Sequence, residues 1–216
     1  MSDVVSDRAI QDDDEFVDLS ELLAEFYASP ATLGEFEQVA EVPAPFDQLL
    51  DHNHHMTVTV EAFHGDVVDV VVHRSRSSLE DGNSVWQNDP NLRSDQRTAI
   101  AATTVSYSRE ITLVTHQSQR TVQYGIVRLN PAMLQRAVWM EIAGGEIPLG
   151  RVLIQHHVLR SVELCRLWKV TCGVALAKFL GTPIGEVVYG RTALIRCDNQ
   201  PAIELLEIVV DIVVDR

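Results

Sequence analysis

Three charged side chains occupy positions that a strand pattern reserves for apolar ones. In TVSYSREITL, residues 104–113, alternation puts Val105, Tyr107, Ile111 and Leu113 on one face, and Arg109 shares that face. GEVVYGRTALIRC, residues 185–197, repeats the anomaly, with Arg191 among Val187, Tyr189, Ala193, Ile195 and Cys197. PAIELLEIVV, residues 201–210, adds an acid: Glu207 aligns with Ile203, Leu205 and Val209, while Leu206, Ile208 and Val210 make the opposite face apolar too. A guanidinium keeps its proton in a protein, so burying one without an anion is costly.

Two explanations are open. In the first, the set is plain structure, an Arg–Glu pair with the spare arginine reaching solvent at a strand end. In the second, two guanidiniums and one carboxylate leave a surplus positive charge in a low-dielectric pocket, which a small dianion would neutralise. Arginine grips planar carboxylates bidentately, so Arg109 and Arg191 on different strands point to a ligand with two carboxylates. Glu207, desolvated yet near cations, has the setting of a proton shuttle. A pure anion binder would have no use for an acid there. Arg160, alternating with Val158 and Val162, is a third anion contact or else an edge-strand charge paired with Glu163.

Other chemistry finds little support. His52, His54, His55 and Asp51 cluster in LLDHNHHMTV, but no matching second ligand set occurs, and no metal is expected. The chain has no GxSxG, Gly-rich phosphate loop or HExxH motif, and no cofactor is expected. More than half of the net charge of −14 lies in the first 25 residues, where nine acids face only Arg8. That acidity argues against nucleic acid and against an anionic membrane surface. No run approaches the ~18 apolar residues of a membrane span. Cys165, Cys172 and Cys197 lack CxxC spacing, which with the acidic, signal-free start predicts a cytoplasmic protein with free thiols. Nothing in the sequence bears on oligomeric state.

The elements that must position these charges follow from periodicity. Residues 1–16 read as a disordered acidic tail, and 17–216 as a single domain. Asp18 to Leu50 reads as two or three short helices. Met56, Val58, Val60 and Ala62 alternate with polar residues and predict a strand, which His64-Gly65-Asp66 turns into Val67–His73. Residues 75–99 lack any apolar period and predict a long loop or flap. Asn130-Pro131 opens a helix through Met140, closed by Gly144-Gly145. Another helix is expected near Gly173–Leu180, and two long strands close the chain. Short turns between strands predict an α+β domain with a largely antiparallel sheet and helices packed on one face.

With these segments in order, the chain resembles the chorismate lyase family, most closely its branch of small chorismate lyase-like proteins found beside ubiquinone-pathway enzymes. The resemblance runs from about Leu49 to Glu207. It is carried by LLDHNHHMT, YSREITL, IPLGRVLI and YGRTALIRCDNQPAIELLEIV. It implies a sheet flanked by helices and an enclosed ligand cavity beneath two flaps. By the same resemblance, Arg109 would bind a ring carboxylate and Glu207 would sit by the ring hydroxyl. Main-chain groups at Met56 and Leu149 would line the ligand, and Arg191 would occupy the matching basic position. The implied reaction is cofactor-free cleavage of chorismate to 4-hydroxybenzoate and pyruvate. Residues 75–99, the acidic tail and the histidine-rich lead depart from the minimal enzyme. Two alternatives therefore stand beside it: an enzyme on a related chorismate-derived acid, or a non-catalytic binder of small aryl carboxylates, as in the effector-binding domains that share the fold.

Overall fold

The computed structural model describes residues 17–80, 84–86 and 103–211, together with residues 93 and 99. The expected tail at 1–16 and most of the expected flap beyond residue 80 lie outside the described residues. Six helices are described: α1 (Leu19–Ala24), α2 (Phe46–Leu50), α3 (Met56–His64), α4 (Arg136–Gly144), α5 (Leu149–Gln155) and α6 (Val174–Leu180). The strands are β1 (Gly34–Val39), β2 (Val68–Leu79), β3 (Ser84–Trp86), β4 (Thr104–Thr115), β5 (Thr121–Leu129), β6 (Arg160–Cys172), β7 (Val187–Cys197) and β8 (Gln200–Val209). No described helix is long and apolar enough to cross a membrane.

The strands form one sheet in the order β1-β6-β7-β8-β5-β4-β2-β3, and every pair is antiparallel. The class is α+β, as the short turns predict. The closing hairpin is pinned by Asp198 and Asn199, at φ 50° and 64°. Those residue types tolerate the left-handed conformation that a two-residue hairpin turn requires. Its register sets Arg191 directly opposite Glu207.

The sheet is covered on both faces. On one, α2 to α5 pack over Ile111, Leu113, Val127, Ala193, Ile195, Leu205 and Val209. On the other, α1 and α6 cover Tyr124, Ile126, Trp168, Leu206 and Ile208. The expectation of helices on one face holds for α2 to α5, while α1 and α6 form a third layer. The apolar second face of β8, with Leu206 and Ile208, is what that layer buries.

Three segments differ from expectation. The segment at Met56 is helix α3, not a strand. Its buried residues are Met56, Thr57 and Val60, a helical stripe, while Val58 is 48% exposed, so a period of two in the β-branched residues concealed a helical face. Gly65, at φ 64°, is its left-handed C-cap rather than a hairpin turn. Between the expected helices α1 and α2, GEFEQV forms edge strand β1 against β6. Residues 75–79, expected to begin the loop, extend β2 instead. They carry no apolar residue before Leu79 because Ser75 and Ser77 face Arg109 and Tyr107 across β4, where small polar side chains fit.

The layer under α1 is fastened by Glu110, which is fully buried on the face opposite Arg109. Arg74 donates to it from Nε at 2.8 Å and from its NH2 group at 3.0 Å. The Tyr124 hydroxyl donates at 2.7 Å, and the Tyr27 hydroxyl donates as well. Arg74 also reaches the Phe26 carbonyl and lies over the Phe26 and Tyr27 rings. Burial by itself would raise the Glu110 carboxyl, but Arg74 and the two hydroxyls more than offset it and hold it below the usual carboxylate value. This contribution is complete above the ordinary unfolded value of about 4.3 and disappears as pH falls through the lower folded value. Glu110→Gln should cost about 2 kcal/mol at neutral pH, a moderate figure because Arg74 stays part-exposed. Melting curves taken from neutral to acid pH should show wild type and variant converging as acid protonates Glu110. A constant gap at every pH would contradict an ionised Glu110.

Candidate functional site

Arg109, Arg191 and Glu207 meet on the α2–α5 face of the sheet, around one cavity. Its floor is Ile111, Gln123, Gly125, Val127, Ile195 and Leu205, and its roof is His54 to Thr57 and Pro148 to Gly150. Roof and floor enclose a slot of about 520 Å³ of atom-free space, counted out through its mouth.

Strand register orders its polar groups by level. Arg109 lies opposite Val127 on β5, Glu207 opposite Gly125, and Gln123 opposite Val209. Successive levels are about 7 Å apart along the strand. At the middle level stands Gly125, where a Cβ would come within 3.2 Å of the Leu206 carbonyl oxygen and in contact with the Ile111 side chain.

The two arginines are in opposite states. Arg191, 0% exposed, has its donors engaged. Its Nε donates to Glu207 Oε2 at 2.8 Å. Its terminal nitrogens donate to the carbonyls of Leu50 at 3.2 Å, His52 at 2.7 Å and His54 at 3.2 Å. It ties the segment between α2 and α3 to the sheet. Arg109, 1% exposed, has no carboxylate partner among the described residues. One terminal nitrogen donates to the Ile142 carbonyl at 3.1 Å, in the last turn of α4, whose partial negative charge offsets only part of the cation. The guanidinium also bonds the Tyr107 hydroxyl, which in turn bonds Ser75. Its Nε is buried with no hydrogen-bond partner among the described residues. Burial pulls the Arg109 guanidinium below its ordinary value, with Tyr107 opposing, and an arginine remains charged regardless.

With Arg191 and Glu207 neutralising each other, the ionised groups lining the slot leave one positive charge, that of Arg109. The first explanation from sequence fails in its detail: a pair exists, but the spare arginine is buried, not solvent-exposed. Arg191, expected to await a ligand carboxylate, is instead engaged by Glu207 and three carbonyls, whereas Arg109 has no anion beside it among the described residues.

Met56 and Leu149 line the roof at the first turns of α3 and α5, and neither helix has a side-chain N-cap. First-turn N–H groups have no intrahelical acceptor. The two helix starts approach closely because residue 150 is glycine. A Cβ there would come within 3.0 Å of Thr57 Oγ1 and 3.3 Å of His55 Cβ.

Arg160 does not line the slot. It stands behind His55, donating from Nε to the ring nitrogen and from a terminal nitrogen to the Val158 carbonyl at 2.8 Å. Burial, with Arg160 and Arg191 nearby, lowers the His55 pKa to about 4, so the ring is neutral at ordinary pH. His52 is likewise lowered to about 4, chiefly by burial, and its Nε2 meets the Leu49 carbonyl at 2.8 Å. The histidines serve the roof's internal bonding. Among the described residues no three His, Cys, Asp or Glu side chains are placed to hold a metal ion.

Gln123, Tyr107 and Ser75 join the site without having been singled out in sequence. Gln123 was detectable: it shares a strand face with Gly125, Val127 and Leu129, the same misfit that flags Arg109.

No protein-family model matches the chain, and no curated protein matches it in sequence. Some solved structures are similar to it in part. The effector domain of PhnF from Mycobacterium smegmatis is 9% identical, with 73% of this chain and 89% of that one covered and a TM-score of 0.47. Against the structure of PhnF itself the figures are 9%, 73% and 64%, with a TM-score of 0.46. The C-terminal domain of the histidine utilization repressor from Pseudomonas syringae pv. tomato is 10% identical, with 67% and 92% covered and a TM-score of 0.40.

Proposed function

We propose that this domain binds a small, flat monocarboxylate in the slot, and that binding rather than carbon–oxygen cleavage is its task. Arg109 holds the carboxylate, aided by main-chain N–H groups at Met56 and Leu149. Glu207, anchored by Arg191, accepts a hydrogen bond from a hydroxyl one level along, a separation that a para-hydroxylated ring spans. What carries this proposal is the contrast between the arginines: one buried cation has a nitrogen without a partner among the described residues, while every guanidinium nitrogen of the other is already bonded. The apolar walls, Ile111, Val127, Val162, Ile195 and Leu205, supply the rest of the affinity.

Chorismate cleavage is the second proposal, favoured by Glu207 itself, a carboxylate lining the slot. In that case Arg109 would hold the ring carboxylate. Glu207 would manage the proton as the enolpyruvyl ether departs and the ring becomes aromatic. Its enolpyruvyl carboxylate would have to win Arg191 away from Glu207 and three carbonyls, which disfavours it. A related chorismate-derived acid with two carboxylates meets the same obstacle.

Titration calorimetry with 4-hydroxybenzoate, beside a pyruvate assay on chorismate, separates the two. Saturable 4-hydroxybenzoate binding without pyruvate supports the binder, and catalytic pyruvate release would establish the lyase instead. Arg109→Met should abolish the binding while raising the melting temperature of the unliganded protein, because it replaces an uncompensated buried charge with an apolar chain of similar reach. A variant that binds as well as wild type, or that melts well below it, would count against the role given to Arg109.

A further inference from the structure

The slot contains a second orphan group. Gln123 is 3% exposed, lines the slot at the level beyond Glu207, and its Oε1 has no hydrogen-bond partner among the described residues. Its strand neighbours at that level are Leu113 and Val209, and next along the sheet stands Val70, so the amide sits among apolar walls. Burying a carbonyl oxygen unpaired is costly, and a hydrophobic residue would fill the same place without that cost. The strand pattern itself would accept Leu, Val or Ile there.

Building on the monocarboxylate assignment, we infer that Gln123 is a specificity determinant, accepting a hydrogen bond from a hydroxyl or N–H group at the end of the ligand remote from its carboxylate. The three polar levels form a sequence along one strand direction: an unspent donor at Arg109, a carboxylate at Glu207, and an unspent acceptor at Gln123. Four residues of strand separate the outer levels, about 13 Å of main chain that both side chains shorten by reaching into the slot. A single hydroxybenzoate ring ends at the Glu207 level. The ligand class that satisfies both orphans is longer: a flat carboxylate of about two-ring length carrying a donor at its far end.

The test compares 6-hydroxy-2-naphthoate with 2-naphthoate, two probes that differ only in the far donor, by titration calorimetry. Wild type should bind the hydroxylated probe about tenfold more tightly, the discrimination expected when a buried acceptor is either paired or left unpaired. Gln123→Met should erase the preference, so that the two probes bind alike, and should melt above wild type without ligand. Equal affinities in wild type, a preference that survives Gln123→Met, or a variant that melts below wild type would each overturn the inference. Binding of 2-naphthoate to wild type and its loss in Arg109→Met report on the carboxylate assignment separately. If neither naphthoate binds wild type, that assignment fails and the role of Gln123 falls with it.

Discussion

A guanidinium buried under the α2–α5 layer, with no carboxylate beside it among the described residues, is the constraint around which this domain is arranged. Arg109 and Arg191 occupy equivalent positions, each mid-strand on the same face of the sheet and each essentially without solvent contact. What differs is the residue opposite. At the Arg191 level the neighbouring strand offers Glu207, and the roof turns three carbonyls inward. At the Arg109 level the next strands offer Val127 and then Leu205, and α4 offers one carbonyl. One arginine is therefore part of the scaffold, and the other is the binding group of the proposed function. Desolvation gives the second its strength: an anion placed beside Arg109 meets a charge that water does not screen.

The two faces of the sheet show what the same chemistry looks like when it is complete. Glu110, adjacent to Arg109 in sequence, points the opposite way into a network where Arg74, Tyr27 and Tyr124 satisfy both of its oxygens. That face fixes the N-terminal layer. On the slot face, by contrast, polar groups are buried and left partly unpaired, Arg109 Nε and Gln123 Oε1 among them. Natural folds tolerate such departures mainly where a ligand completes the set.

Alternation alone carried much of this. Arg109, Arg191 and Glu207 were visible because a charged residue interrupts an apolar face of period two, and that signal survives in a single sequence. The α+β class followed from turn spacing. What alternation could not supply was pairing: that Arg191 and Glu207 lie opposite one another depends on the Asp198-Asn199 turn, whose register has to be seen. Helix α3 was hidden because Val58, Thr59 and Val60 favour strands by propensity, and only the packing of Met56 and Val60 against the sheet and α2 overrides it. The serines at 75 and 77 looked like loop because nothing local says that Tyr107 and Arg109 will lie over them. Gln123 is a quieter signal, because a buried amide is the same kind of misfit as a full charge at lower cost.

The unneutralised charge in the slot can be measured without knowing the natural ligand. Benzoate and benzamide have nearly the same shape and differ in charge, so thermal denaturation in the presence of each isolates the electrostatic contribution. Benzoate should raise the melting temperature of the wild-type protein in a concentration-dependent way, and benzamide should do little at the same concentrations. Equal stabilisation by both, or by neither, would contradict a slot built around the bare cation of Arg109.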